Sequence, residues 1–311
     1  MPNVVQFMHS GDEVDVRALT RYNGWNATGE HSRRLMRHYG EYVDLQNRIM
    51  SADLAFWTEY EAPTNAMPIT VGARGWKYAE NYHTIVLPVP HPPITRGGCC
   101  VNTDPCVFGD TFKYSNCRQV PGGSLRGLPV GSLILFGARH MSRKGVFLFA
   151  LDTVFVIGME GVQYSVPVGK SLPFAASNEY REVTLGNLQP RRRPNGAVIS
   201  DFEFYRGRIP QRVGGDKVDT GAIFSYTPVR LFGTQNCNER CMLDLNQLNT
   251  FMQNNNIVSR RFFSPEMTQG HSGVLLHGTT LDIQLIWNEV RRIVQAVNRF
   301  DLGVHFPWHI N

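Results

Sequence analysis

Two apolar runs decide the fold: Gly131 to Ala138, GSLILFGA, and Gly145 to Ile157, GVFLFALDTVFVI. Both are rich in Val, Ile, Leu and Phe, which favour extended backbone. The polar segment between them, RHMSRK at 139–144, is typical of a turn. Because both runs are continuously apolar, they predict a β-hairpin in the middle of a sheet that is buried on both faces.

The next elements are predicted on either side of this hairpin. Strands are expected at 52–62, within 84–89, at 197–205 and at 221–232. In the first of these, ADLAFWTEYEA, the two-residue period places Glu59 and Glu61 on one face and Phe56 on the other. A short helix is predicted at 31–43, with Leu35 and Tyr39 on one side and arginines on the other.

The last third of the chain has a helical pattern. Helices are predicted at 243–252 and 281–298, and the second carries one apolar stripe with spacings of four and three: Ile283, Trp287, Val290, Val294 and Val297. We therefore predict an α+β fold. Its core is a central mixed or antiparallel β-sheet, with a barrel as one form that sheet can take, followed by a C-terminal helical region. The 311 residues are expected to form a single large domain, β-rich at about 50–235 and helical at about 240–311.

Composition limits the function classes. The chain is 42% hydrophobic and 18% charged, which is typical of a globular protein. It has no run of ~18 apolar residues for a membrane helix and no basic and apolar leader, so we predict a cytoplasmic protein with no membrane partner. The Walker, dinucleotide-binding, zincin and serine-hydrolase motifs are absent, and no cofactor is predicted.

The six cysteines allow two interpretations. Cys237 and Cys241 could bind a metal together with one of the four earlier cysteines, but no C-x-x-C spacing supports this. Small buried thiols are the more common use of reduced cysteine. We therefore predict no metal.

One segment is richer in polar groups than folding requires: NTDPCVFGDTFKYSNCRQ at 102–119. It offers carboxylates, side-chain amides and aromatic rings, which are Asp104 and Asp110; Asn102, Asn116 and Gln119; and Phe112 and Tyr114. A loop that caps its own turns explains such a composition. The alternative is a pocket for an extruded base, in which amides contact the base edge, rings stack on the base and a carboxylate orients water.

Carboxylates and arginines outside 102–119 are further candidates for a site that binds an extruded base. Glu59 and Glu61 are candidate catalytic acids if their face lines a cleft. Asp152 interrupts an apolar strand, so it is either hydrogen-bonded for structure or placed at a substrate site. The net charge of +5 permits an anionic partner. Three arginine clusters are candidate phosphate contacts, the alternative being ordinary solvated surface: Arg33, Arg34 and Arg37; Arg191, Arg192 and Arg193; and Arg291 and Arg292.

The 102–119 segment, preceded by FWTEYEAPT and followed by GSLILFGARH and LDTVFVI, resembles a family of largely uncharacterised bacterial proteins with similar blocks in the same order. The resemblance covers about the first half of the chain, and NTDP-x-VFGD-x-F-x-YSNC is its specific part. This sequence departs from the family at Cys106, where the family pattern has a large aromatic residue. The resemblance implies that these blocks form one site, in a family associated with DNA-base modification and conflict with phages.

Three functions follow as hypotheses. The first is a DNA-base-processing hydrolase, an N-glycosylase that excises modified bases in antiphage defence, with Asp104, Asp110, Glu59 or Glu61 as the catalytic carboxylate. The second is a non-catalytic reader of modified bases or nucleotides. The third is an ADP-ribosyl-type transferase acting on nucleic acid. All three predict a nucleic-acid partner, with DNA favoured.

Overall fold

The structure is a computed structural model. It describes residues 1–9, 12–13, 31–61, 66–68, 86–88, 112–115, 119, 123, 125–141, 147–166, 185, 190–192, 195–264, 270–274 and 278–306. The strands, in chain order, are β1 (Val4–His9), β2 (Asp12–Glu13), β3 (His31–Val43), β4 (Ile49–Glu61), β5 (Ala66–Pro68), β6 (Val86–Pro88), β7 (Lys113–Tyr114), β8 (Leu133–Met141), β9 (Phe147–Val156), β10 (Val162–Ser165), β11 (Arg191–Arg192), β12 (Val198–Ile199), β13 (Asp201–Arg206), β14 (Arg212–Gly214), β15 (Lys217–Val218), β16 (Thr227–Leu231), β17 (Cys241–Leu243), β18 (Gly270–Val274) and β19 (Asp301–His305). The helices are α1 (Leu245–Asn254) and α2 (Thr280–Arg292), and α2 continues as a π-helical turn at Ile293–Val297.

The predicted hairpin is confirmed as the centre of a five-stranded sheet in the order β17-β9-β8-β1-β18. β8 and β9 are antiparallel, whereas β1 and β8 are parallel, so the sheet is mixed. One face of this sheet contributes Val5, Phe7 and Phe136 to one buried cluster, and the other contributes Val4 and Leu135 to a second cluster. Burial on both faces explains why the sequence of the hairpin is continuously apolar.

A second sheet closes on itself. β4 pairs with β3 and β16, and β19 pairs with both β16 and β3, which makes a ring of four strands. Closure brings neighbouring strands close together at two glycines. A Cβ on Gly40 would lie 2.6 Å from the carbonyl oxygen of His305, and one on Gly303 would lie 2.5 Å from Val229 Cγ1. Only glycine fits at such positions without displacing a neighbour. The structure thus has the predicted α+β class, with a closed, barrel-like sheet.

Residues 31–43, predicted as a helix, are instead strand β3, so that prediction is wrong. All thirteen residues of β3 are registered antiparallel to β4, from His31 opposite Glu61 to Val43 opposite Ile49. Arginine, leucine and methionine are good helix formers, but pairing with β4 outweighs that weak local preference.

Both C-terminal helices are confirmed, and they lie against the central sheet. Ile283, Trp287, Val290 and Val294 are fully buried, as the stripe predicts, whereas Val297 is 63% exposed. The π-helical turn widens the last part of the helix, with Asn298 N donating to the carbonyl oxygen of Ile293, and so changes the phase of the stripe.

The C-terminal region also contains strands, which the sequence did not predict. β17 and β18 form the two edges of the central sheet, and β19 completes the closed sheet. The β-rich core therefore extends beyond 50–235 in both directions, since β1 and β3 also belong to it. Among the described residues, no helix has the length and apolar character needed to cross a membrane.

Candidate functional site

Several predicted site residues lie outside what the structure describes. Asn102, Asp104, Asp110, Asn116 and Arg193 lie in undescribed segments. For six others the structure describes the strand position but not the side chain: Arg33, Arg34, Glu59, Glu61, Arg191 and Arg192. Of the residues predicted to line the pocket at 102–119, the structure describes the side chains of Phe112, Tyr114 and Gln119.

Phe112 and Tyr114 lie in the protein core. Both are 0% exposed. The Tyr114 ring is stacked on Tyr205 at 5.8 Å between centroids and makes an edge contact with Phe136 at 5.2 Å. Rings packed in this way stabilise the fold and present no open face for a nucleobase, so the predicted stacking role does not agree with their placement.

Gln119 is buried, and both ends of its amide are engaged. Its Nε2 donates to the carbonyl oxygen of Glu203 at 2.8 Å, and its Oε1 accepts from the Glu203 amide at 2.6 Å. The side chain therefore pairs with β13 as a neighbouring strand would. A glutamine whose amide is bonded at both ends has a structural role, and this placement does not agree with the predicted contact between Gln119 and a base edge.

The Glu203 side chain is also committed to the fold. Its carboxylate accepts from the Gly127 amide at 2.6 Å, from the Tyr205 hydroxyl and from Gln163 Nε2. Burial raises the pKa of Tyr205, and the hydrogen bond to Glu203 raises it further. This network connects residues 125–128 to β13. Because the Glu203 carboxylate already accepts hydrogen bonds from within the chain, it is a poor candidate for a catalytic acid.

Asp152 is the extra residue of a β-bulge. Phe136 is registered opposite Thr153, but Gly137 is opposite Leu151, so Asp152 has no counterpart on β8. Its carboxylate forms an ion pair with Arg240 at 2.7 Å, and the two side chains are 6% and 4% exposed. β17 pairs with β9 directly after Arg240, which fixes this arrangement. Of the two interpretations of Asp152, this pairing supports the structural one.

The Asp152–Arg240 pair connects to the closed sheet. The Arg240 guanidinium lies 5.1 Å from the ring centroid of Trp57, and Trp57 Nε1 donates to the carbonyl oxygen of Asn238 at 3.1 Å. Trp57 is partly exposed. It is two positions before Glu59 on β4, so Asp152 and the Glu59 position approach the same part of the protein from different strands.

More arginine and aromatic side chains lie on this side of β3 and β4. The Arg37 guanidinium lies 3.9 Å from the ring centroid of Phe232, and Arg37 Nη2 contacts Asp53 Oδ2 at 2.6 Å. Tyr39 is registered opposite Asp53 and is 50% exposed. We call this set, Arg37, Tyr39, Asp53, Trp57, Phe232 and Arg240, the outer face of the closed sheet. Leu54 and Phe56 are on the opposite, buried side.

The register of β3 also changes the predicted arginine cluster. Arg33 is opposite Glu59, Arg34 is opposite Thr58 and Arg37 is opposite Ala55. Because neighbouring strand positions alternate between faces, positions 33 and 34 belong to different faces. The three arginines therefore do not form the single basic side that a helix would give.

Sequence reasoning missed Tyr39, Trp57 and Arg240. Trp57 could have been found, because the predicted strand at 52–62 places it on the face of Glu59 and Glu61. Tyr39 was not recognised, because the helix predicted at 31–43 placed it on the apolar side with Leu35. Arg240 is 88 residues from Asp152 along the chain, and no local pattern indicates that partnership.

Two of the six cysteines are described, and both are free and buried: Cys237 and Cys241. Burial raises the pKa of the Cys241 thiol, so it stays protonated at neutral pH. For these two residues the prediction of small buried thiols is confirmed. Within the described part of the chain, no three His, Cys, Asp or Glu side chains are grouped to hold a metal ion.

A pair of carboxylates lies at the other end of the closed sheet. Asp44 accepts from the Arg48 amide at 2.9 Å and from Arg48 Nε at 2.8 Å. Burial acts to raise its pKa, but these hydrogen bonds lower the pKa of Asp44 below its usual value. Burial, together with the nearby Asp44 charge, raises the pKa of Asp301 to about 6.

The Asp301 pKa predicts a pH-dependent stability. The folded-state pKa of about 6 is above the unfolded value of ~3.9, so ionisation of Asp301 destabilises the folded state as pH rises from about 4 to 6. Asp301→Asn should therefore raise the free energy of unfolding by roughly 1 to 2 kcal/mol at pH ~7.5 and change it little at pH ~4. Urea unfolding at both pH values measures this. Asp216→Asn is the control, because the Asp216 side chain is 71% exposed. Equal effects of Asp301→Asn at both pH values would contradict the prediction.

Comparison of the chain with family models, with curated proteins and with solved structures finds no match in any of the three. The resemblance seen in residues 56–64, 102–119, 131–140 and 151–157 therefore stays a prediction. The geometry of the described residues is the basis on which a function can be proposed.

Proposed function

We propose that the protein is a nucleic-acid-binding β-protein that receives unstacked bases on the outer face of its closed sheet. The observation that carries this proposal is that Tyr39 is 50% exposed and Trp57 partly exposed on a sheet face where the Arg37 guanidinium also lies. Sheet surfaces with exposed rings and neighbouring arginines are common platforms for single-stranded nucleic acid, since every base has a π face.

The charges on this face limit what the arginines can contribute. Arg37 is paired with Asp53 and Arg240 with Asp152. Phosphate contacts must therefore come from Arg37, which is 24% exposed and would contact a phosphate and Asp53 at the same time, and from the Arg33 position further along β3. We accordingly expect base stacking to provide more of the affinity than phosphate neutralisation, with a shallow dependence on salt.

Trp57→Ala and Tyr39→Ala test the stacking platform. Each should weaken binding of a labelled single-stranded DNA by about tenfold, because stacking on one ring contributes ~1–3 kcal/mol per base. Fluorescence anisotropy at about 50 and 200 mM salt gives the affinity and its salt dependence. Leu281→Ala on α2 is the control, since Leu281 is 66% exposed outside the outer face. Absence of saturable binding, or equal affinity in all variants, would reject the proposal.

A hydrolase that acts on the bound base is the second candidate. It is favoured by the position of Glu59, which is two residues from Trp57 on β4 and opposite Arg33. The test is to incubate the protein with unmodified DNA and with heavily modified phage DNA, and to measure released bases and abasic sites. Under this candidate, Glu59→Gln or Asp104→Asn abolishes base release and keeps DNA affinity. DNA binding without any released base supports a protein that binds nucleic acid without catalysis.

A further inference from the structure

Arg291 is a partly buried cation whose contacts are neutral. It lies in the last turn of α2, where its Nε donates to Gln295 Oε1 at 3.1 Å and its Nη2 donates to Asn47 Oδ1. Its guanidinium is 5.5 Å from the ring centroid of Trp287. Among the described residues, no carboxylate forms an ion pair with it. A cation that has lost part of its hydration without gaining a counter-ion is unfavourable.

The carboxylates near Arg291 are engaged elsewhere. Glu289, on the same helix, makes a two-point contact with Arg292, with both N–O distances 2.7 Å. Asp44, which precedes the turn that carries Asn47, is held by Arg48 at 2.7 Å. Arg292 is therefore neutralised within its own helix, whereas its neighbour Arg291 is not.

Two further buried groups beside Arg291 have no hydrogen-bond partner in the part of the chain that the structure describes. The Tyr226 hydroxyl belongs to a side chain that is 0% exposed, and its ring lies 6.0 Å from the ring of Trp287, which the Arg291 guanidinium also contacts. Gln295 Nε2 is buried as well, on the residue whose Oε1 already accepts from Arg291. Both groups can donate a hydrogen bond, and buried donors in native proteins are rarely left without an acceptor. Among the described residues, the Tyr226 hydroxyl and the Gln295 amide nitrogen are therefore donors that have no acceptor, in addition to a guanidinium that has no counter-ion.

The backbone at this place is also irregular. Gln295 lies in the π-helical turn Ile293–Val297 that ends the α2 segment. Asn47, the second partner of Arg291, has a φ of 61° in the β3–β4 turn. Single π-helical turns are frequent at functional sites because they redirect side chains from the regular helical spacing. Both irregular segments direct an amide oxygen to the Arg291 guanidinium.

We propose that Arg291, Gln295 and Tyr226 form a binding site for a small oxyanion, a phosphate or carboxylate group. The Arg291 guanidinium supplies the positive charge and its uncommitted N–H groups, and the Gln295 amide and the Tyr226 hydroxyl donate to the remaining oxygens. The anion supplies the counter-charge and the acceptors that this neighbourhood lacks. The site is formed by the end of α2 with its π-helical turn, by Tyr226 directly before β16 and by the β3–β4 turn, so it is independent of base stacking on the outer face.

The test is isothermal titration calorimetry of the full chain with inorganic phosphate and, separately, with acetate. Saturable binding of either is expected, and the tighter of the two identifies the source of the oxyanion. Arg291→Gln should weaken that binding at least about tenfold, because it removes the only formal positive charge of the site. Arg292→Gln is the matched control and should leave affinity unchanged, since Arg292 is already paired with Glu289.

Tyr226→Phe separates a binding role from a purely structural one. Without anion it should raise the melting temperature by about 2 °C, because it removes a buried hydroxyl that has no acceptor. With saturating anion it should reduce the anion-induced rise in melting temperature, because a donor to the ligand is lost. The proposal is wrong if neither anion binds, if Arg291→Gln binds as well as the wild type, or if Tyr226→Phe lowers the melting temperature without anion. Loss of DNA binding by Trp57→Ala with normal anion binding would show that the two sites are separate.

Discussion

Asp152→Ala should lower the free energy of unfolding by about 3 to 5 kcal/mol, the loss expected when one partner of a buried ion pair is removed. The side chains of Asp152 and Arg240 are 6% and 4% exposed, so water cannot replace the missing carboxylate. The remaining Arg240 charge would then lie over the Trp57 ring, 5.1 Å from its centroid, and near the Ala150 carbonyl oxygen.

Chemical denaturation followed by circular dichroism measures this effect. The matched control is Asp53→Ala, which removes the carboxylate from another aspartate–arginine pair of similar length, 2.6 Å to Arg37. That pair is 24% and 37% exposed, so its loss should lower the free energy of unfolding by less than about 1 kcal/mol. Equal losses in the two variants would show that burial does not determine the strength of the Asp152–Arg240 pair.

Replacing both partners of the buried pair refines the test. Asp152→Leu with Arg240→Met should recover much of the stability lost in Asp152→Ala, because apolar side chains of similar volume need no counter-charge. If the double variant is stable and loses DNA binding, the ion pair serves to position Trp57 for its ligand. If it is stable and binds normally, the pair serves only the fold.

Tyr114→Ala should lower the free energy of unfolding by about 3 to 5 kcal/mol, the range for removal of a fully buried aromatic ring. The ring is 0% exposed and contacts Tyr205, Phe136 and Phe155 with centroid distances from 5.2 to 6.1 Å. A cavity at this place would open the aromatic cluster between β7, the central sheet and β13, and the neighbouring rings can close it only in part.

Tyr39→Ala is the matched control for this second prediction, since Tyr39 is 50% exposed. It should change stability by less than about 0.5 kcal/mol and should weaken DNA binding. Tyr114→Ala, measured at a temperature where it is folded, should bind DNA as the wild type does. The opposite assignment, with Tyr114 essential for binding and Tyr39 neutral, would restore the pocket predicted at residues 102–119 and overturn the outer-face proposal.

Local patterns in the sequence determined those elements whose surroundings are uniform. The β8–β9 hairpin was predictable because a strand buried on both faces must be apolar at every position. Helix α2 was predictable because Ile283, Trp287, Val290 and Val294 repeat at the helical period. In both cases the environment repeats regularly along the element, apolar on both faces of the hairpin and on one stripe of α2, so the local pattern carries the information.

The tertiary structure decided what depends on distant partners. Strand β3 formed against its helical pattern because β4 supplies thirteen registered partners. The polar residues of 102–119 predicted a binding site, yet Gln119 is paired with Glu203, 84 residues away. Asp152 is likewise satisfied by Arg240, 88 residues away. A buried polar group must find a partner, and its sequence neighbours do not indicate whether that partner is a ligand or another part of the chain.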